Sequence, residues 1–202
     1  MPIHIRIFSD FTCPFCYLGK GLVEALKKEY DIQEEWVSYE LHPEVPPEGV
    51  LLSEKFPDYD LKGLFEELRT KGERYGYTFG DATLLPNTRK ALEAGEFARD
   101  HGKHATFHAA VFHAYFGEGR NIGQVPVLLD IASQVGLDRD ELERALNDDR
   151  YEDRLEAGHE EGDRYDVSVL PTFVFDGGDK IVGLRSIEAF RQVLKGLHHT
   201  PL

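Results

Sequence analysis

The chain has 202 residues, of which 41% are hydrophobic and 30% are charged. This length and composition suit one folded domain, or one domain that carries a large insertion. The formal net charge of -14 argues against nucleic acid as a partner, because phosphates would be repelled rather than neutralised. No apolar run approaches the roughly 18 residues of a membrane-spanning helix, so we expect no membrane partner.

The first residues, MPIHIRIF, lack the basic start and the long apolar stretch of a secretory signal. We therefore expect a cytoplasmic protein. Cys13 and Cys16 are the only two cysteines, in a C-x-x-C spacing. In a reducing compartment such a pair is more often catalytic or metal-binding than a permanent disulfide. This pair is the first candidate for a functional site.

The amino-terminal pattern predicts a strand, a helix and a second strand. Isoleucines alternate with polar residues over residues 3–8, and alternation returns over residues 35–41. Between them, apolar residues recur at helical spacing after Pro14, which is acceptable in the first turn of a helix. Cys13 therefore lies at a helix N-terminus, and Cys16 lies one turn inside.

From about residue 58 to residue 165 the pattern is helical. Helices are predicted near residues 61–68, 87–100, 107–115, 127–135, 138–146 and 149–165. The predicted caps are Asp10 or Thr12 for the first helix, then Asn87, Asp138 and Ser186 for later ones. The helix over residues 149–165 has a polar face, so we expect it to be solvent-exposed.

Strand chemistry returns near the carboxyl end. Residues 169–175 are rich in β-branched and aromatic side chains, residues 176–179 form a hairpin turn signal, and residues 180–183 pair back. A final helix follows Ser186, and the tail over residues 198–202 is expected to be frayed. Neither end of the chain has enough strands alone, so both ends are predicted to join one sheet.

This order, with Cys13-Pro14-Phe15-Cys16 at the first strand–helix junction, resembles the thioredoxin fold of DsbA-like oxidoreductases, and within them the FrnE-type branch. The stretches that carry the resemblance are residues 11–19, 87–88, 112–122 and 167–173. It implies an α/β protein with a thioredoxin fold (βαβ…ββα) and a large all-helical insertion. The implied domains are a discontinuous thioredoxin-like domain, residues 1–57 and 166–202, and an insertion domain, residues 58–165.

The resemblance implies a protein-disulfide oxidoreductase or isomerase that acts on protein or small-molecule thiols and disulfides. Such exchange needs one thiolate that attacks and a second thiol that resolves the mixed disulfide. A helix N-terminus stabilises a thiolate. We therefore assign Cys13 as the attacking sulfur and Cys16 as the resolving sulfur.

Residues around the pair are predicted to shape the site. Pro14 presets the turn, and Phe15 offers no charge or strong hydrogen bond to a thiolate. Family members with a histidine in the place of Phe15 are strong oxidants, so the direction of electron flow stays open. Pro171 fits an edge or first-strand proline; the resemblance implies instead a cis-proline beside the cysteines. Leu170 and Thr172 would then bind an extended substrate segment as an added strand.

Two other functions stay open. One is a glutathione-dependent transferase or isomerase of the kappa-class or 2-hydroxychromene-2-carboxylate isomerase type; these proteins share the insertion but typically have serine in the place of Cys13. The other is a non-catalytic module whose cysteines bind metal or only pack. We expect no metal and no cofactor beyond the redox-active pair, with glutathione as an open co-substrate. The oligomeric state, monomer or homodimer, is undetermined.

Several further residues receive structural interpretations. Asp10 is read as a cap rather than a proton acceptor, Tyr17 as packing, and His42 as a loop residue. His104 and His108 are expected on a solvated or interhelical face.

Overall fold

A computed structural model describes residues 2–197, so the tail predicted to fray lies outside the described residues. The strands are β1 (Ile3–Ser9), β2 (Ile32–Ser38), β3 (Val50–Leu51), β4 (Leu84–Leu85), β5 (Thr172–Phe175) and β6 (Lys180–Val182). The helices are α1 (Pro14–Leu26), α2 (Leu52–Lys55), α3 (Leu61–Glu73), α4 (Arg89–Asp100), α5 (His104–Phe112), α6 (Val125–Gln134), α7 (Arg139–Asn147), α8 (Glu152–Arg164) and α9 (Ile187–Gly196). None of these helices is both long enough and apolar enough to cross a bilayer.

One sheet joins the two ends of the chain. Its strand order is β2-β1-β5-β6. β1 runs parallel to β2 and antiparallel to β5, so that Ile7 lies opposite both Trp36 and Phe173. β6 pairs back on β5 through the predicted hairpin. The predicted thioredoxin-type α/β fold is confirmed.

The two faces of β1 serve different parts of the core. Its three isoleucines pack with apolar residues of α1 and α9. Phe190 of α9 is fully buried and meets Phe173 edge-to-face, with ring centroids 4.8 Å apart. Phe8 points to the opposite face and joins the core built by the helical segment. Each large side chain buried in this way stabilises the fold by about 1.5–3 kcal/mol.

The regular elements between β2 and β5 are helices, apart from the short strands β3 and β4, which pair with each other. α5 continues into a π-helical turn at His113–Gly117. The predicted cap at Asp138 is confirmed, since its Oδ1 accepts from Glu141 N at 2.8 Å. Ser186 caps α9 by accepting from Ala189 N. The division into a discontinuous domain and an insertion domain stays a prediction.

The helix expected to be exposed, α8, is instead packed on β2 and the residue after it. A Cβ at Gly158 would lie 2.4 Å from Ser38 O, and one at Gly162 would lie 2.4 Å from the Tyr39 ring. The predicted exposure holds for the polar residues of α8 only. The packed face was missed because glycines carry no apolar side chain, and their contact is made by backbone. The two glycines allow the helix to approach the sheet this closely.

Two local predictions about the amino-terminal unit also need correction. β2 ends at Ser38 rather than residue 41, because Leu41 N donates to Asp10 Oδ2 at 2.7 Å instead of joining a ladder. Neither Asp10 nor Thr12 caps α1: the N-cap position is Cys13, without a side-chain cap bond. At α4 the N-cap is Thr88, while Asn87 Oδ1 accepts from Arg89 N.

Candidate active site

The cysteine pair lies at the junction of β1 and α1. Cys13 is extended, with φ -84° and ψ 109°, and Pro14 begins the helix. Helix N-termini leave N–H groups without backbone partners and carry partial positive charge. Both cysteines are free thiols. Cys13 is 5% exposed and Cys16 is fully buried.

Asp10 holds the segment that leads to Cys13. Its Oδ1 accepts from Thr12 N and Thr12 Oγ1, both at 2.7 Å. Its Oδ2 accepts from Leu41 N at 2.7 Å and from Thr88 Oγ1 at 3.0 Å. Asp10 is 1% exposed, so these bonds replace those that water would supply. The side chain therefore ties the cysteine loop to the segment after β2 and to the start of α4.

The chain before β5 lies against Cys13. The Leu170–Pro171 peptide bond is cis. Cys13 Sγ donates to Leu170 O at 3.6 Å, across 157 positions of sequence. The structure thus brings together Cys13, Leu170 and Pro171, three of the residues singled out from the sequence. Their roles in catalysis and substrate binding stay predictions.

An open cavity of about 380 Å³ begins at Cys13. Pro14, Phe15 and Leu170 line it as well, whereas Cys16 and Thr172 do not. Most of the remaining wall is apolar and comes from α2, α3 and the loops beside them: Leu52, Phe56, Tyr59, Leu61, Leu64, Phe65 and Leu68. The periodicity of α3 predicts a stripe of apolar side chains. It does not tell whether these side chains pack in the core or line a cavity.

His42 follows the second strand, a position that could bring it near the site although a loop role was preferred, and it does line this cavity. Its Nδ1 lies 3.2 Å from Glu44 Oε1. Among residues 2–197, those that line the cavity include no lysine and no arginine. The cavity therefore suits an apolar group better than a group that carries carboxylates.

Thr172 does not reach this cavity with its side chain. It is 1% exposed, and its Oγ1 donates to Val169 O at 2.7 Å. A substrate contact from Thr172 would have to come from the backbone. The predicted binding role of Thr172 remains untested.

Cys16 lies behind Cys13, away from the open cavity. Complete burial raises the pKa of the Cys16 thiol well above its ordinary value, and the thiol of Cys13 beside it acts in the same direction. The hydroxyl of Ser9 lies beside Cys16 and opposes this shift in pKa. The two thiols are therefore chemically unequal, which fits an attacking Cys13 and a resolving Cys16.

Aromatic side chains surround the base of α1. Tyr17 is 3% exposed and stacks on Tyr77 with ring centroids 4.2 Å apart, as the packing interpretation predicted. His108 is 4% exposed and contacts Trp36, so it lies in an interior contact and not on a solvated face. Within residues 2–197, no cluster of three His, Cys, Asp or Glu side chains is placed to hold a metal ion.

Three features together define a thioredoxin-type dithiol protein. The sheet has the order β2-β1-β5-β6, a C-x-x-C pair lies at the N-terminus of the first helix, and a cis-proline follows the residue that contacts Cys13. Residues 4–195 match the family model described as a DSBA-like thioredoxin domain. The chain belongs to this DsbA-like family of thiol–disulfide oxidoreductases.

The chain is also similar to individual proteins. The uncharacterized protein YwbO of Bacillus subtilis (strain 168) is 31% identical over 188 residues, covering 90% of both chains. The probable DsbA oxidoreductase SCO1869 of Streptomyces coelicolor superposes with a TM-score of 0.89 at 24% identity, covering 99% of this chain and 92% of that one. The cytosolic disulfide reductase DsbM of Pseudomonas aeruginosa, solved with GSH, gives 0.70 at 16% identity, covering 96% and 98%. These two structures share the fold with this chain.

Proposed function

We propose that the protein is a cytoplasmic thiol–disulfide oxidoreductase or isomerase of the FrnE type, with Cys13 as nucleophile and Cys16 as resolving thiol. The observation that carries the proposal is the contrast between the two sulfurs. Cys13 lines an open cavity at a helix N-terminus, whereas Cys16 is sealed behind it. Thiol–disulfide exchange needs one accessible nucleophile and one thiol held in reserve.

The reaction would proceed in two exchange steps. Cys13, as thiolate, attacks a substrate disulfide; one substrate sulfur leaves as a thiolate with the electron pair of the broken S–S bond. Cys16, after losing its proton, attacks Cys13 and displaces the second substrate thiolate. The protein ends with a Cys13–Cys16 disulfide, and the substrate has gained two electrons and takes up two protons. The reverse sequence oxidises a dithiol.

The apolar wall of the cavity favours disulfide substrates that carry an apolar group beside the sulfur. Its volume of about 380 Å³ is within the range of small-ligand sites, about 300–1,000 Å³. Apolar side chains dominate the wall, and Val169 next to Leu170 is 47% exposed at the rim. A substrate side chain placed here would lose apolar surface to water, which is favourable.

Insulin reduction and refolding of scrambled ribonuclease test this function. We expect wild type to be active and Cys13→Ser to fall to the background rate. The matched variant Cys16→Ser keeps the nucleophile, so it should accumulate a mixed disulfide with substrate. Equal activity of wild type and Cys13→Ser would refute the proposal.

Glutathione is the second candidate partner, since the similarly folded DsbM was solved with GSH. A glutathione-dependent transferase or isomerase would bind glutathione through non-covalent contacts. The variant with both Cys13 and Cys16 replaced by alanine separates the two functions. Loss of glutathione binding in this variant supports exchange, whereas retained tight binding with conjugating activity would favour the transferase.

A further inference from the structure

A separate cavity is formed by α1, the end of α3 and the start of α9. Its volume is about 300 Å³, at the lower end of the range for small-ligand sites, about 300–1,000 Å³. Among residues 2–197, none lines both this cavity and the cavity at Cys13. We call it the α1 cavity, and the exchange reaction gives it no role.

Part of the wall of the α1 cavity is apolar. The aliphatic and aromatic side chains that line it are Leu18, Leu22, Tyr75, Leu184 and Ile187. The Tyr75 ring lies directly against α1, since a Cβ at Gly21 would be 2.4 Å from Tyr75 Cγ. Any larger residue at position 21 would displace the ring, so Gly21 fixes this wall. An apolar ligand group placed here would lose surface to water, which is favourable.

Three cations line the same cavity: Lys71 and Arg74 at the end of α3, and Arg185 between β6 and α9. Lys71 pairs with Glu67, one turn back on α3. Within residues 2–197, Arg74 and Arg185 have no carboxylate partner, and Arg185 Nε donates to Val182 O at 3.2 Å. Lys71 and Arg74 also suit the C-terminal end of a helix, but Arg185 comes from a different segment. Two guanidinium groups are therefore available to an anion beside an apolar surface.

This excess of cations runs against the composition of the chain, which has 37 Asp and Glu residues but 23 Lys and Arg residues. In the part of the chain that the structure describes, Glu188 is the one acid that lines the cavity. Its carboxylate lies 3.5 Å from Arg191 Nη1, which offsets its charge. α9 begins at Ile187, and the N-terminus of a helix adds partial positive charge. The cavity therefore favours an anion over a cation.

We propose that the α1 cavity binds a small carboxylate with an apolar chain. Arg74 and Arg185 bind the carboxylate, because a guanidinium donates two parallel N–H bonds to such a group. The chain of the ligand lies on the apolar wall beside Tyr75. This binding goes beyond the exchange function, since Cys13 does not line the cavity.

NMR titration of isotope-labelled protein with octanoate tests the proposal. The backbone amides of residues 71–75 and 184–188 should shift and reach saturation, whereas those of residues 13–15 should not shift. Octylammonium keeps the chain but carries a cation, and acetate keeps the carboxylate but lacks the chain. Both should bind at least about tenfold more weakly than octanoate, because each loses one of the two interactions.

Variants of the two arginines locate the carboxylate. Arg74 and Arg185 are exposed, so Arg74→Gln and Arg185→Gln should stay folded. Each should weaken octanoate binding about fivefold, as expected when one ion pair at the surface is lost. Arg139→Gln is the matched control, because it removes the same charge from an exposed position on α7 outside the cavity wall. It should bind octanoate as wild type does.

Four results would overturn the proposal: no saturable shift with octanoate, equal binding of octanoate and octylammonium, unchanged binding in both arginine variants, or shifts confined to residues 13–15. The last result would place the ligand in the cavity at Cys13 instead. Cys13→Ser should lose exchange activity and keep octanoate binding. Failure of the carboxylate site and failure of the exchange function can therefore be recognised independently.

Discussion

The two sulfur atoms of the C-x-x-C pair differ in their surroundings. Cys13 lines an open cavity of about 380 Å³ with an apolar wall. Cys16 is fully buried and lines neither this cavity nor the pocket of about 10 Å³ whose wall includes Ser9, Ser38, His104 and His108. The same residue type, three positions apart, is thus placed once at an open cavity and once in the sealed interior.

The helices between β2 and β5 contribute to both cavities. α2 and α3 supply much of the apolar wall at Cys13, while α5 supplies His104 and His108 of the small pocket, and the ends of β1 and β2 supply Ser9 and Ser38. The cysteine pair lies at the start of α1, and Leu170 lies just before β5.

Asp10 should show the largest effect, because it holds the segment that separates the two cavities. The change Asp10→Asn places an amide donor against at least one of the groups that now donate to Asp10. We expect the free energy of unfolding to fall by about 2–3 kcal/mol. Urea denaturation measures it, and Thr88→Val, which removes one bond only, should cost about 1 kcal/mol. Wild-type stability in Asp10→Asn would contradict the anchoring role.

A substitution at the rim of the open cavity should alter the preference between substrates. The test compares kcat/KM for two peptide disulfides that differ only in having Phe or Glu beside the cysteine. Wild type should have the higher kcat/KM with the Phe peptide. Val169→Lys puts a cation at the rim, so it should shift the ratio toward the Glu peptide by about tenfold. Leu51→Lys is the control, since Leu51 is similarly exposed, at 45%, but does not line the cavity. An equal shift in both variants would show a general charge effect and not a site.

The smallest effect is expected at His108, in the pH dependence of the free energy of unfolding. Burial and the cations near it hold the pKa of His108 well below 6.5. As pH falls through 6.5, the unfolded chain binds a proton that the folded chain refuses, so stability present above pH 6.5 is lost. One such histidine accounts for about 1 kcal/mol between pH 6.5 and 5.5.

His108→Phe should remove that share of the loss, as measured by urea denaturation at the two pH values. Part of the loss remains, because burial also lowers the pKa of His104, to about 4. An unchanged pH dependence in His108→Phe would mean that the ring is solvated in the folded state, contrary to its contact with Trp36.

Strand and helix order could be predicted from the sequence because the responsible residues carry apolar side chains at regular spacing. The joining of both chain ends in one sheet followed from counting strands. α8 could not be predicted to pack, since Gly158 and Gly162 contribute contact through backbone alone. The end of β2 was misplaced because Asp10 competes for the N–H of Leu41, a bond between distant residues that no local pattern encodes.

For the site, Cys13 and Cys16 could be found from spacing, and Pro171 from the resemblance. The two cavities could not, since each is assembled from side chains far apart in sequence. His42 and His108 show the limit: one is a loop residue and the other a helix residue, and only the fold places His42 in the wall of the cavity at Cys13 and His108 against Trp36.

The contact between Cys13 and Leu170 has a consequence for protein synthesis. Its partners are 157 positions apart, so a ribosome working at about 5–20 residues per second needs about 10–30 seconds to make the second after the first. During that interval the nascent chain carries both thiols without the segment that faces them. Chains released before residue 170 would keep both cysteines and lack the contact with Leu170 and β5.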